Sequence, residues 1–175
     1  METREAIRRR HSVRSFSPRQ LDEETLQALL EAAYMAPVGM AAYDHLHLTV
    51  VQDADVLRAV DEAGMQVFGR SDIHMLYAAP TLLVLSARPM QFEGLERESA
   101  GCIFESVMLR AADLGVGSVY TWICGEGIRQ SEAVQRLLSL PEGYTCVATL
   151  ALGYEEAPKD RLKTPKQTIE TTFVR

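Results

Sequence analysis

Arg10-His11-Ser12-Val13-Arg14-Ser15-Phe16 puts two guanidinium forks and a hydroxyl donor on one short segment. Phosphate oxygens accept such donors, and each charge-assisted bond is worth roughly 1.5–3 kcal/mol net. Arginine-rich turns are also common on plain protein surfaces, so the segment alone names a chemistry without assigning it. The charge map narrows the choice. Residues 1–19 hold six Arg against two acids, and residues 159–175 hold five Lys or Arg against two acids, so the two ends together carry +7. The middle carries seven basic and twenty acidic residues, or −13, and the whole chain −6. An acidic body repels a polyanion such as nucleic acid. Two basic ends meeting around one compact anion, such as a phosphomonoester, suit the pattern better.

Other reactive side chains are less informative. His45 and His47 fall on one face of a strand start, with no Cys or carboxylate at ligand spacing, so no metal site is expected. His74, in Asp72-Ile73-His74-Met75, reads as a surface or hydrogen-bonded histidine. Gly125-Glu126-Gly127 lacks the third glycine and the βαβ context of a dinucleotide fingerprint. No Ser-His-Asp or Cys-His set is persuasive, so no catalytic side chain is assigned. Cys102, Cys124 and Cys146 all sit in apolar stretches and read as buried free thiols in a reducing compartment. No stretch approaches the ~20 apolar residues of a membrane span, and Met1 to His11 is charged rather than signal-like. The reading is a cytoplasmic protein with no membrane and no nucleic-acid partner.

The elements that must position these residues follow from periodicity. Thr3 to Arg10 is a first helix. Asp22 caps a second, with Leu26, Leu29, Leu30 and Ala33 on one face, and Ala36-Pro37 stops it. His45 to Val51 alternates and reads as a strand. Asp53 to Val67 is an amphipathic helix. Pro80 to Ala87 is a continuous apolar run, expected as a central strand buried on both faces. Arg97 to Leu114 is a long helix whose wide apolar stripe (Ala100, Ile103, Phe104, Val107, Met108, Ala111) suits a core or a subunit interface, and Gly115 ends it. Ser118 to Cys124 reads as a strand, Ser131 to Leu140 as a short helix, and Tyr144 to Gly153 as a last buried strand. Beyond Gly153 the composition cannot build a core. The β-prone run Thr168 to Val174 needs a sheet edge, which another subunit could supply. The class is α+β: a mixed or antiparallel central sheet of four to five strands flanked by about five helices.

Five segments, in order, resemble the FMN-dependent nitroreductase family. They are Ile7-Arg-Arg-Arg-His-Ser-Val-Arg-Ser-Phe16 with the helix end Ala36-Pro-Val-Gly39; Tyr77-Ala-Ala-Pro-Thr-Leu-Leu-Val-Leu85; Ala112-Asp-Leu-Gly-Val-Gly-Ser-Val-Tyr-Thr-Trp-Ile123; and Gly153-Tyr-Glu-Glu-Ala-Pro-Lys-Asp-Arg-Leu162. The resemblance covers nearly the whole chain and implies a single nitroreductase-like FMN-binding domain over 1–175. Residues 155–175 would form a domain-swapped tail packing on the partner of a homodimer. It further implies that Arg10, Ser12, Lys159 and Arg161 hold the FMN phosphate, with His11 adding contacts from the same loop. Arg14 would reach the pyrimidine edge of the flavin, and His74 lies where the family sometimes offers a cationic or polar flavin contact. Tyr120, Thr121 and Trp122 would pass the ring, with a backbone N–H there donating toward N5. NADH or NADPH would serve as electron donor, and a small aromatic or quinone-like electrophile as acceptor.

One stretch departs from the family pattern. Where the family often has Ser-x-x-Asn-x-Gln-Pro-Trp, this chain has Val38-Gly39-Met40-Ala41-Ala42-Tyr43-Asp44-His45. Ala41 stands for the Asn and His45 for the Trp, leaving that side of the pocket small and apolar. The change bears on the acceptor: a specialised reductase of dehalogenase or enoate reductase type, or a non-catalytic flavin-binding dimer, are alternatives to a general reductase.

Overall fold

The computed structural model describes residues 1–158, 162–166 and 169–175. Helix α1 (Thr3–Arg9) precedes an extended segment, and α2 (Glu23–Tyr34) follows it. Asp22 caps α2 by accepting the Thr25 N–H at 2.8 Å. Two 3-10 turns, Gly39–Ala41 and Tyr43–His45, lead into β1 (Leu46–Val51). Then come α3 (Ala54–Phe68), β2 (Thr81–Ala87), α4 (Leu95–Asp113), β3 (Gly117–Tyr120), α5 (Trp122–Gln130), α6 (Glu132–Leu137) and β4 (Thr145–Gly153).

The strands form one sheet in the order β1-β2-β4-β3, with every neighbouring pair antiparallel. The sheet is therefore antiparallel throughout rather than mixed. All seven residues of β2 are buried, as a strand covered on both faces must be. Alternation along β2 and β4 divides the core in two. Leu83, Leu85, Ala148, Leu150 and Leu152 face α2 and α4, where Leu29, Phe104 and Val107 are fully buried. Leu82, Val84 and Ala151 face the other way, toward Val60 of α3 and Cys124 and Ile128 of α5.

Three expectations are corrected. The strand expected over 118–124 ends at Tyr120, and Trp122–Gln130 is a helix. At Thr121 the sheet edge closes, its N–H bonding to Thr149 O at 3.0 Å. Glycines at 125 and 127 hide this helix from propensity, yet they are what let it pack. A Cβ at Gly127 would lie 2.6 Å from backbone atoms of Ala63 and Gly64 in α3. Six helices therefore replace the expected five among the described residues. Cys102 is exposed, not buried, because the turn of α4 that sends Ile103 and Phe104 inward leaves position 102 on the far side.

Candidate active site

The segment between α1 and α2 is laid along β3. Ser12 bridges Ser118 in parallel, and Val13 N–H donates to Ser118 O at 3.0 Å. Further on, Phe16 bridges Glu155, Ser17 N–H donates to Tyr154 O, and Glu156 N–H donates to Ser15 O. The chain's start is thus sewn to the stretch that follows its last strand. The seam continues outward, with Lys163 N–H donating to Arg8 O at 2.9 Å and Arg8 Nε donating to Lys163 O at 3.1 Å. The two basic ends meet.

Alternation along this extended segment sorts its side chains. Val13 is buried in the core beside Val119, so Ser12 and Arg14 turn the other way and are exposed. A cleft of about 630 Å³ opens at the seam, lined by Arg9, Arg10, His11, Arg19, Tyr154 and Pro158 among others. Arg19 holds its guanidinium over the Tyr154 ring at 4.1 Å. Arg10 Nε stands 3.6 Å from Glu105 of α4. His11 is tied on both nitrogens, to Arg9 O at 2.9 Å and to Glu155 at 3.4 Å. Burial, and then the like charge of Arg10, push the Lys163 ammonium below its ordinary value, while Glu105 partly opposes them. Desolvation leads that shift and the Arg10 charge adds to it, and an anion placed between the two cations would oppose both. Lys159 and Arg161 lie outside the described residues, directly after Pro158 of the cleft wall.

The other expected residues sit along β3. Tyr120 is part-exposed, its ring edge-on to Phe104 at 5.7 Å, and burial raises its phenol's pKa. Trp122, 61% exposed, opens α5. The first amides of a helix have no acceptor within it, so this turn offers N–H donors beside two exposed aromatics. Thr121 differs from its neighbours. Its hydroxyl lies 2.8 Å from that of Thr149 and is buried, so it holds the turn rather than facing outward.

The loop of residues 38–45 is strained. Met40 and Ala41 have φ of 55° and 53°, a left-handed conformation that residues with a Cβ seldom adopt. Gly39 N–H donates to Ser99 Oγ at 3.1 Å, and the Leu95 side chain fills the space a Cβ on Gly39 would need. Sequence reasoning counted Lys163 within the basic tail without singling it out, and it gave no sign that Asp61 bonds to His74. Neither contact leaves a spacing signal, because one joins residues 155 apart and the other residues 13 apart in different elements, and neither separation is a helix or strand period.

The same fold is found in solved structures. A nitroreductase with bound FMN from Bacteroides fragilis superposes with a TM-score of 0.83 at 28% identity, covering 99% of this chain and 100% of that one. A nitroreductase with bound FMN from Desulfitobacterium hafniense gives a TM-score of 0.86 at 25% identity over 100% of both chains. A protein of Archaeoglobus fulgidus, provisionally named an NADH dehydrogenase/NAD(P)H nitroreductase, is 30% identical over 154 residues, covering 86% of this chain and 84% of its own. The nitroreductase family model matches residues 7–154. The chain belongs to the nitroreductase family, and it is an oxidoreductase.

Proposed function

We propose that the chain is a homodimeric, cytoplasmic FMN enzyme that uses NADH or NADPH to reduce small electrophilic acceptors, nitro compounds or quinones, by ping-pong transfer. The observation that carries this reading is the seam that bonds Arg8 of the first basic end to Lys163 of the second, beside a cleft lined by Arg9, Arg10, His11 and Arg19. Arg10 and Ser12, with Lys159 and Arg161 after Pro158, would bind the phosphate, and Lys163 would add a further cation. His11, fixed between Arg9 O and Glu155, would brace the loop. Arg14, which makes no ion pair among the described residues, would lie along the pyrimidine edge and favour the negative charge that reduction leaves there. Tyr120 and Trp122 would flank the ring, with a backbone N–H of that turn directed at N5. When bound, the flavin supplies the hydride-accepting chemistry.

The tail supports dimerisation. Ile169, Phe173 and Val174 are 80%, 72% and 95% exposed, and among the described residues β1 has a neighbour on one side only. Apolar residues left in solvent and an open sheet edge complement each other across two copies. Three free thiols fit a reducing compartment. The strained, apolar Met40-Ala41 turn favours a specialised acceptor within this reading, of the dehalogenase or enoate reductase type. Purified protein is expected to be yellow and to bleach on adding NADH without oxygen. A protein that stays colourless with added FMN overturns the proposal, and a yellow protein that no nicotinamide bleaches is a flavin carrier.

A further inference from the structure

Asp61 is a carboxylate buried inside α3, 8% exposed, and both of its oxygens are used. One accepts the Leu76 N–H at 2.8 Å. The other lies 2.5 Å from Nδ1 of His74, whose ring projects outward, its side chain 72% exposed. Burying a carboxylate is costly unless it is fully bonded. The Leu76 amide alone would be satisfied by an asparagine oxygen. A carboxylate there accepts from both partners at once, and so fixes a proton on Nδ1 and leaves Nε2 to face solvent. That is the arrangement of an orienting acid behind an acid–base imidazole.

The segment that carries His74 packs, through Met75 and Tyr77, on the two chain stretches that hold the other candidate residues. Met75, the next residue, packs beside Cys124 in the first turn of α5, both lying 3.4 Å from a Cβ position on Gly64. Tyr77 O accepts the Phe16 N–H at 3.2 Å, two residues after Arg14. Tyr77 and Ala78 both have positive φ, 55° and 62°, so this short connection is held in a strained shape rather than left loose. Arg70 pairs with Asp72, and burial pushes the Cys124 thiol up to about 12, which keeps it neutral.

We infer that His74 is the proton donor to the acceptor and that Asp61 is its positioning residue. The inference rests on the flavin reading above. A quinone becomes a hydroquinone by gaining two electrons and two protons. The electron pair and one proton arrive as hydride, originating from NAD(P)H, which is oxidised. As the second O–H bond forms, Nε2 of the His74 imidazolium loses its proton to the quinone oxygen. The neutral imidazole then recovers a proton from water.

The test uses the full-length holoprotein and His74→Gln, a change at an exposed side chain that leaves the core intact. The variant should be purified yellow and should still bleach with NADH. Reoxidation by a benzoquinone should slow about 100-fold and lose its solvent isotope effect. Asp61→Asn should slow the same step less. Nitrogen-15 NMR of His74, independent of turnover, should show the proton on Nδ1 in wild type and its redistribution in Asp61→Asn. If Asp61→Asn fails to fold, His74→Gln and the wild-type spectrum decide alone. A yellow His74→Gln protein reoxidised at the wild-type rate, or a wild-type spectrum with the proton on Nε2, overturns the inference but leaves the flavin reading standing. A protein that never binds FMN overturns both.

Discussion

The contact between α3 and α5 and the seam between the two chain ends are built on opposite principles. In the first, helix backbones touch because Gly127 has no side chain, and Val60, Cys124 and Ile128 fill the space around them. In the second, Arg8 bonds the Lys163 backbone, Arg10 lies close enough to act on the Lys163 charge, and Glu105 and Glu155 stand beside Arg10 and His11. Shape complementarity at the helix contact serves the fold whether or not a ligand is present. Unbalanced charge at the seam is mildly unfavourable alone and becomes favourable when an anion fills the cleft. Residues of the first region should therefore govern stability, and those of the second, binding.

Several substitutions can break that division. The largest effect expected is Gly127→Ala. Its Cβ would meet α3 backbone at 2.6 Å, and backbone cannot rotate aside as a side chain can, so unfolding stability should fall by about 3 kcal/mol, read as a lower urea midpoint. Next is Arg10→Ala. Loss of a charge-assisted bond worth roughly 1.5–3 kcal/mol should weaken FMN about 10- to 100-fold while leaving thermal stability unchanged. Riboflavin, without phosphate, should bind both forms alike by fluorescence titration. If Arg10→Ala instead unfolds the protein, the seam is structural and the division fails.

Smaller effects sharpen it. Asp22→Ala removes the cap of α2, whose carboxylate accepts only the Thr25 N–H among the described residues, and should cost about 1 kcal/mol in chemical denaturation without altering FMN affinity. The thiols give the mildest test. Burial first of all pushes Cys124 and Cys146 up to about 12, so both stay protonated in the fold above the 9.0 at which a free thiol ionises. Their contribution is intact below about pH 9 and is lost as pH rises toward 12. At neutral pH a maleimide should label Cys102 alone in the native protein, and all three cysteines after denaturation, counted by mass spectrometry.

Much of the scaffold was readable from pattern. The Asp22 cap, the alternation of Leu46, Leu48 and Val50, and the unbroken apolar run of β2 each correspond to the element observed, within a residue or two. These signals are local: a period of two or of 3.6 is written wherever one face is buried. Helix α5 escaped because its glycines answer to α3, which is remote in sequence. Cys102 was misplaced because an apolar neighbourhood does not state helix phase.

For the site, the basic ends, the Arg10 to Arg14 loop and the family were determined by sequence alone, since composition and motif order need no coordinates. Tertiary structure decided that Lys163 reaches Arg8 and crowds Arg10, that Thr121 turns inward, and that a buried carboxylate on α3 grips His74. Those facts depend on which distant residues the sheet order and helix packing bring within bonding distance, and no spacing along a chain encodes that.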